Sequence, residues 1–322
     1  MDELNVTLSA CRNGKVNLVK FQVENNIELA RKKDAENNTA LHVACDNGLP
    51  IRGIECLYSA YPDALTMFND EGASPFHLAC SQGESIENLQ FLQSKLPIGL
   101  VTANEKGDVP LHWIDEKATE ELIKYLLKQF PKCAGVKNKG GALPIHVACN
   151  KGSSLNVIRL LHQAHPAGIL QQDTHGLLPI HDACDGNPNL KLMQFFNDVS
   201  PESFGTTDTL GNLALHFAVH SSPEVVQFIV ETNKLALQTP NDAGYLPIHE
   251  ACSLSVDLRV VNILLKNYPE GVKAKTSDGH LPFHLAIPNL SMLTYLYELF
   301  NESVKTTDRK GRYPLHIACA KG

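Results

Sequence analysis

One short pattern recurs from end to end of this 322-residue chain and fixes what it can become: Gly-x-x-Pro-apolar-His-x-Ala-Cys. Its histidines are His42, His77, His112, His146, His181, His216, His249, His284 and His316, spaced 35, 35, 34, 35, 35, 33, 35 and 32 residues apart. A fixed period of this size means a stack of similar units, each packed on its neighbours, rather than the two globular domains that length alone suggests.

Each position of the pattern has a physical reading. Five residues before the histidine stands Gly72, Gly107, Gly141, Gly176, Gly211, Gly244, Gly279 or Gly311, with Asn37 in the remaining copy. Glycine and asparagine accept positive φ, so the position reads as a tight turn. Two residues before the histidine stands Pro75, Pro110, Pro144, Pro179, Pro247, Pro282 or Pro314, where a fixed φ and a missing N–H suit the first turn of a helix. A short helix therefore starts in each copy, and its small residues, such as Ala148-Cys149 and Ala183-Cys184, let neighbouring helices approach closely. A second helix follows a polar turn. In the fifth copy it is placed near Leu155 to Ala164, with Val157, Ile158, Leu160 and Leu161 as its apolar stripe and Pro166 as its stop. The same stop recurs at Pro62, Pro97, Pro131, Pro201 and Pro269.

These residues carry a resemblance: Gly-x-x-Pro-Leu-His-x-Ala on a period of about 33 is similar to the ankyrin repeat, over essentially the whole chain. The opening segment fits as a degenerate first repeat, since Ala10-Cys11-Arg12-Asn13-Gly14 matches Ala44-Cys45-Asp46-Asn47-Gly48. The resemblance implies an all-α, ankyrin-repeat solenoid of helix-turn-helix repeats with hairpin-like turns, about ten repeats in a single domain over 1–322. The repeats fall at about 1–33, 34–68, 69–103, 104–137, 138–172, 173–207, 208–240, 241–275, 276–307 and an incomplete 308–322. Where family members carry Thr before the Pro, this chain has Leu143, Leu178, Leu246 or Leu281, so a Thr-to-His hydrogen bond is expected only at Thr39 and Ser74. The incomplete tenth repeat, ending at Ala320-Lys321-Gly322, leaves an apolar side of the stack uncovered and suggests a natural chain that continues.

Charge and cysteine usage bound the partners. With 28 Lys plus Arg against 35 Asp plus Glu, the net charge of -7 argues against nucleic acid, which needs a concentrated basic face. No apolar run is long enough to span a bilayer and the start lacks a secretory signal. Nine dispersed cysteines look unlike a disulfide framework and read as free thiols. A cytoplasmic setting follows, with the nucleus as the other possibility, a monomeric state, and the glycosylation-like matches at Asn5, Asn37 and Asn301 read as chance.

No catalytic residue, cofactor or metal is expected. His and Cys stand three apart on a helix in six copies, but packed helix axes lie roughly 8–10 Å apart, too far for pairs in successive repeats to share one tetrahedral ion. The histidine reads as a buried polar link satisfied by backbone of its own or the next repeat, and the cysteine as a small packing residue. His249-Glu250-Ala251-Cys252 begins like a zinc-protease motif but lacks the second histidine, and there is no nucleophile elbow or phosphate loop. Cys56 and Cys133, outside the repeated cysteine position, read as packing residues.

The resemblance implies a protein or peptide partner held on the concave face by hairpin turns and the ends of the first helices. Those positions give an acidic zone at Glu36, Asp46, Asp70, Glu71, Glu105, Asp108 and Glu116, offset by Lys106 and Lys117. They give an apolar zone at His175, Leu177, Leu210, His220, Tyr245 and Leu254, and a basic end at Arg309, Lys310, Arg312 and Lys321. The apolar strip would anchor the partner and the acidic zone select a basic flank. Trp113, the only tryptophan, stands where the fourth repeat replaces the Ala-Cys pair by Ile114-Asp115, and reads as local repacking, with a partner anchor as the other reading. The function so implied is a protein–protein interaction module or scaffold; the other reading is a recognition domain of a larger enzyme or membrane protein.

Overall fold

In the computed structural model, residues 3–81, 86–186, 188–287 and 289–321 are described, and all regular structure among them is helical. The chain forms two compact units, Met1–Gly168 and Ile169–Gly322.

One repeat from each unit shows the common plan. In the first unit a helix at Ala40–Asp46 is followed by a longer one at Ile51–Ala60 and a 3-10 turn at Pro62–Thr66. In the second unit the counterparts are Pro179–Asp185, Leu190–Val199 and Pro201–Gly205. The first helix is short and sealed on its neighbours: Ala183 and Cys184 are fully buried, as are Ala44 and Cys45, because only small side chains fit where these helices meet. The second helix runs ten residues and buries one stripe. In the fifth repeat it spans Leu155–Ala164, and Val157, Ile158 and Leu161 are buried. Leu160 is only half-buried, since it lies at the edge of that stripe.

Side-chain caps start these second helices. Asn189 accepts from the N–H of Leu192 at 3.0 Å and Thr119 from that of Leu122 at 3.2 Å, filling donors that a helix N-terminus leaves open. At the other end the prolines do more than stop the helix. Pro62, Pro131, Pro166, Pro201 and Pro269 each open a 3-10 turn, which absorbs residues that lengthen the period beyond 33 or so. Pro97 departs from this, its 3-10 turn beginning only at Gly99.

The repeat histidines are the internal ties, and at His42, His77, His112, His181, His216 and His249 both ring nitrogens are used. In the second unit the N–H of Leu178 donates to Nδ1 of His181 at 2.9 Å, and His181 Nε2 meets the carbonyl of Thr206 at 3.0 Å. Because Nδ1 accepts, Nε2 carries the proton and donates. Thr39 and Ser74 keep the expected hydroxyl contact to His42 and His77, at 2.8 and 2.7 Å. Where leucine replaces them that contact is absent, yet Nδ1 is not orphaned, because the leucine's N–H donates to it, as those of Thr39 and Ser74 also do at 3.3 Å.

Candidate functional site

The hairpin turns and the first helices present one continuous kind of surface in each unit, called here the turn face. The turns are built by an Asn or Asp eight residues before the histidine, with Thr276 in that place before His284. Asp208 Oδ1 accepts from the N–H groups of Leu210 and Asn212, at 2.8 and 2.7 Å, and Asn241 Oδ1 from those of Ala243 and Tyr245, at 3.1 and 2.9 Å. The glycine, or Asn37, then turns at positive φ in every copy. Successive turns are stitched by backbone: Thr209 N–H donates to His175 carbonyl, Asp242 to Leu210 and Ser277 to Ala243, all at 2.9–3.0 Å. In the first unit Asp70 donates to the carbonyl of Glu36 and Lys139 to that of Lys106. The sequence reading did not single out this Asx position, although Asp34, Asn69, Asn104, Asn138, Asp173, Asp208, Asn241 and Asp308 repeat it visibly.

In the second unit the apolar positions separate into two sets. Leu210 is 63% exposed and Leu254 58%, and His175 and His220 are also exposed. Leu177 and Tyr245 are half-buried. The Tyr245 ring packs edge-on against His249 with centroids 5.8 Å apart, and its carbonyl accepts from His216. Tyr245 is therefore as much a stacking residue as a surface one. His220 Nε2 lies 3.3 Å from the Asp185 carbonyl, tying two first-helix ends together.

In the first unit Glu36, Asp70, Glu71 and Glu105 are exposed, and the turn face holds a groove of about 740 Å³. Turn residues Glu71, Lys106 and Asp108 and helix-end residues Asp46, Asp115, Glu116 and Lys151 line it together. A residue class that sequence reasoning passed over lines it as well: the position after the repeat histidine, here Leu78, Trp113 and Val147. In the second unit the same position holds Asp182, Phe217 and Glu250, all half-buried. Its signal was variability inside an otherwise fixed motif.

At the basic end Arg309 and Lys310 are exposed, whereas Arg312 is committed to Asp308, with Nε 2.8 Å from Oδ2. The side chain of Lys321 lies outside the described residues.

The buried thiols have little nucleophilic character. Burial pushes Cys133 up to about 11 and Cys11 up to about 12, and raises Cys45, Cys80, Cys184 and Cys252 as well. Among the described residues no group of three or more His, Cys, Asp or Glu side chains is arranged to hold a metal ion.

Comparison with protein families supplies the deciding observation. The family model described as "Ankyrin repeats (3 copies)" matches residues 7–99, and the one described as "Ankyrin repeats (many copies)" matches residues 126–183 and 229–286, together more than half of the chain. The chain belongs to the ankyrin-repeat family. No curated protein matches it. Ankyrin repeats are in general protein–protein interaction modules and are typically not enzymes. The all-helical repeats described above agree with that membership. No helix among the described residues is long and apolar enough to cross a membrane.

Proposed function

We propose that this ankyrin-repeat chain is a scaffold that holds a protein partner against its turn face. The observation that carries the reading is the exposure of Leu210 and Leu254 on backbone-stitched elements of the second unit. A large apolar side chain in water on a rigid frame can be buried by a partner with little ordering cost, which is the physical requirement for an anchor. His175 and His220 add exposed imidazole rings to the same face, and Phe217 adds aromatic surface on the first helix. The protein would act inside the cell, in the cytoplasm or the nucleus, where a chain with nine dispersed cysteines is kept reduced.

The test is comparative capture from cell extract with three forms: the chain itself, a Leu210→Asp/Leu254→Asp double variant, and a Lys191→Glu/Lys266→Glu variant on exposed second-helix positions. Leu210 and Leu254 replace Leu177 and Tyr245 as test positions because the latter two are half-buried. Loss of partners with the leucine variant alone supports the turn face. Equal capture by all three forms overturns it.

A further inference from the structure

The fourth repeat departs from its neighbours in a way that opens a hole. Its first helix is reduced to a four-residue 3-10 turn, Pro110–Trp113, after which Ile114 is extended. The flanking copies carry full seven-residue helices at Pro75–Ser81 and Pro144–Asn150. The missing turn is where the groove of about 740 Å³ lies.

Its apolar floor is Leu78, Trp113 and Val147, the three residues that follow successive repeat histidines. Trp113 is half-buried, and its ring meets His77 edge-on, centroids 5.6 Å apart. That histidine brings no positive charge to the indole: burial lowers its pKa, and Nε2 is spent on the Asp108 carbonyl at 2.9 Å. Around the floor stand the carboxylates of Asp46, Glu71, Asp108, Asp115 and Glu116, against the ammonium groups of Lys106 and Lys151 alone. Asp108 is engaged with Asn138 at 2.8 Å, and Asp115 caps its own turn through the Lys117 N–H. Glu71 and Glu116 are exposed at the rim. A second hollow of about 250 Å³, lined also by Glu36 and by one cation, Arg12, shares Asp46, Glu71 and Leu78, so carboxylates still outnumber cations along this part of the first unit.

We propose that this groove receives a cationic side chain, an arginine above all, of an extended partner segment, with Trp113 as the stacking surface and Glu71 and Glu116 as the charge-matching rim. The inference rests on the turn-face reading and gives that face in the first unit a ligand chemistry. A guanidinium stacks flat on an indole and pairs with carboxylates in its plane, whereas an ammonium does only the second well. The excess of carboxylates disfavours an acidic segment by like-charge repulsion. Of the two readings its sequence allows, local repacking and a partner anchor, Trp113 takes the second in this proposal.

Because Trp113 is the only tryptophan, its fluorescence reports on this groove alone. The probes are three synthetic Gly-Ser peptides carrying three arginines, three lysines or three glutamates at the same positions, titrated into the full chain at low and high salt. The expected result is a saturable change with the arginine peptide, binding about tenfold weaker with lysine, no binding with glutamate, and weakening by salt. Glu71→Gln/Glu116→Gln, at exposed positions that leave the fold intact, should weaken the arginine peptide about tenfold, and Trp113→Leu, followed by calorimetry, should do the same. No response to the arginine peptide, or equal affinity in the rim variant, overturns the inference. If capture still depends on Leu210 and Leu254 in that case, the turn-face reading stands without it.

Discussion

Nε2 of His216 lies 3.0 Å from the carbonyl oxygen of Tyr245, so the histidine of one repeat holds the hairpin turn of the next. The same ring accepts from the N–H of Leu213 at 3.1 Å, and both bonds sit in buried surroundings. His77 and His112 make the same kind of link, to the carbonyls of Asp108 and Ala142, whereas His42, His181 and His249 reach Met67, Thr206 and Ala274 in the segment just before the next turn.

Replacing His216 with leucine removes both bonds and leaves the Leu213 N–H without a partner, while the Tyr245 carbonyl keeps only the N–H of Asn241. The expected loss is roughly 2–4 kcal/mol, read as a lower urea midpoint. The same substitution at His316, which is exposed, should cost far less.

Acid should loosen the stack through these rings. Burial depresses His42 and His249 to about 4, and lowers His77, His112, His181, His216 and His284 as well. The unfolded chain takes up a proton near pH 6.5 that the folded ring refuses until about pH 4. Stability is therefore full above pH 6.5 and drains away as pH falls toward 4, by up to roughly 3 kcal/mol for each of the two strongest cases. Urea midpoints at pH 7 and pH 5 check this; equal midpoints would contradict it.

Asp182 should act in the opposite sense. Burial, with Asp173 and Asp185 nearby, pushes its carboxyl up to about 8. An acid with a raised folded pKa weakens the fold as pH rises from about 4 through 8. Asp182→Asn should stabilise the chain at pH 7 by roughly 1 kcal/mol, the figure held low because the side chain is partly exposed, with an advantage that shrinks toward pH 4.

Two turn glycines separate backbone strain from close approach. Gly244 has φ +77°, and a Cβ there would stand 2.5 Å from the backbone N of Ser277 in the next turn. Gly48 has φ +62° with nothing within 4 Å. Gly48→Ala should cost about 1 kcal/mol and Gly244→Ala clearly more, measured by denaturant unfolding.

The fold was legible because the pattern states its own geometry: proline at a helix start, glycine at positive φ and histidine three residues into the helix each do one physical thing wherever they recur. The second helix of the fifth repeat lies where its stripe placed it, at Leu155–Ala164. Less could be read of the site. Exposure depends on the neighbouring repeat, so Tyr245 and Leu210 looked alike as turn residues, although one is half-buried against His249 and the other open. The shortening of the fourth repeat's helix at Trp113 also hinges on how Ile114 seals the core, at 1% exposure, which local sequence does not reveal.

The most direct measurement places a photo-crosslinking residue singly at Leu210, Leu254, Lys191 and Lys266 and irradiates the full chain in cell extract. The account predicts a discrete crosslinked partner from Leu210 and Leu254 and none from Lys191 or Lys266. Crosslinking from the two second-helix positions, with none from the two leucines, would contradict it.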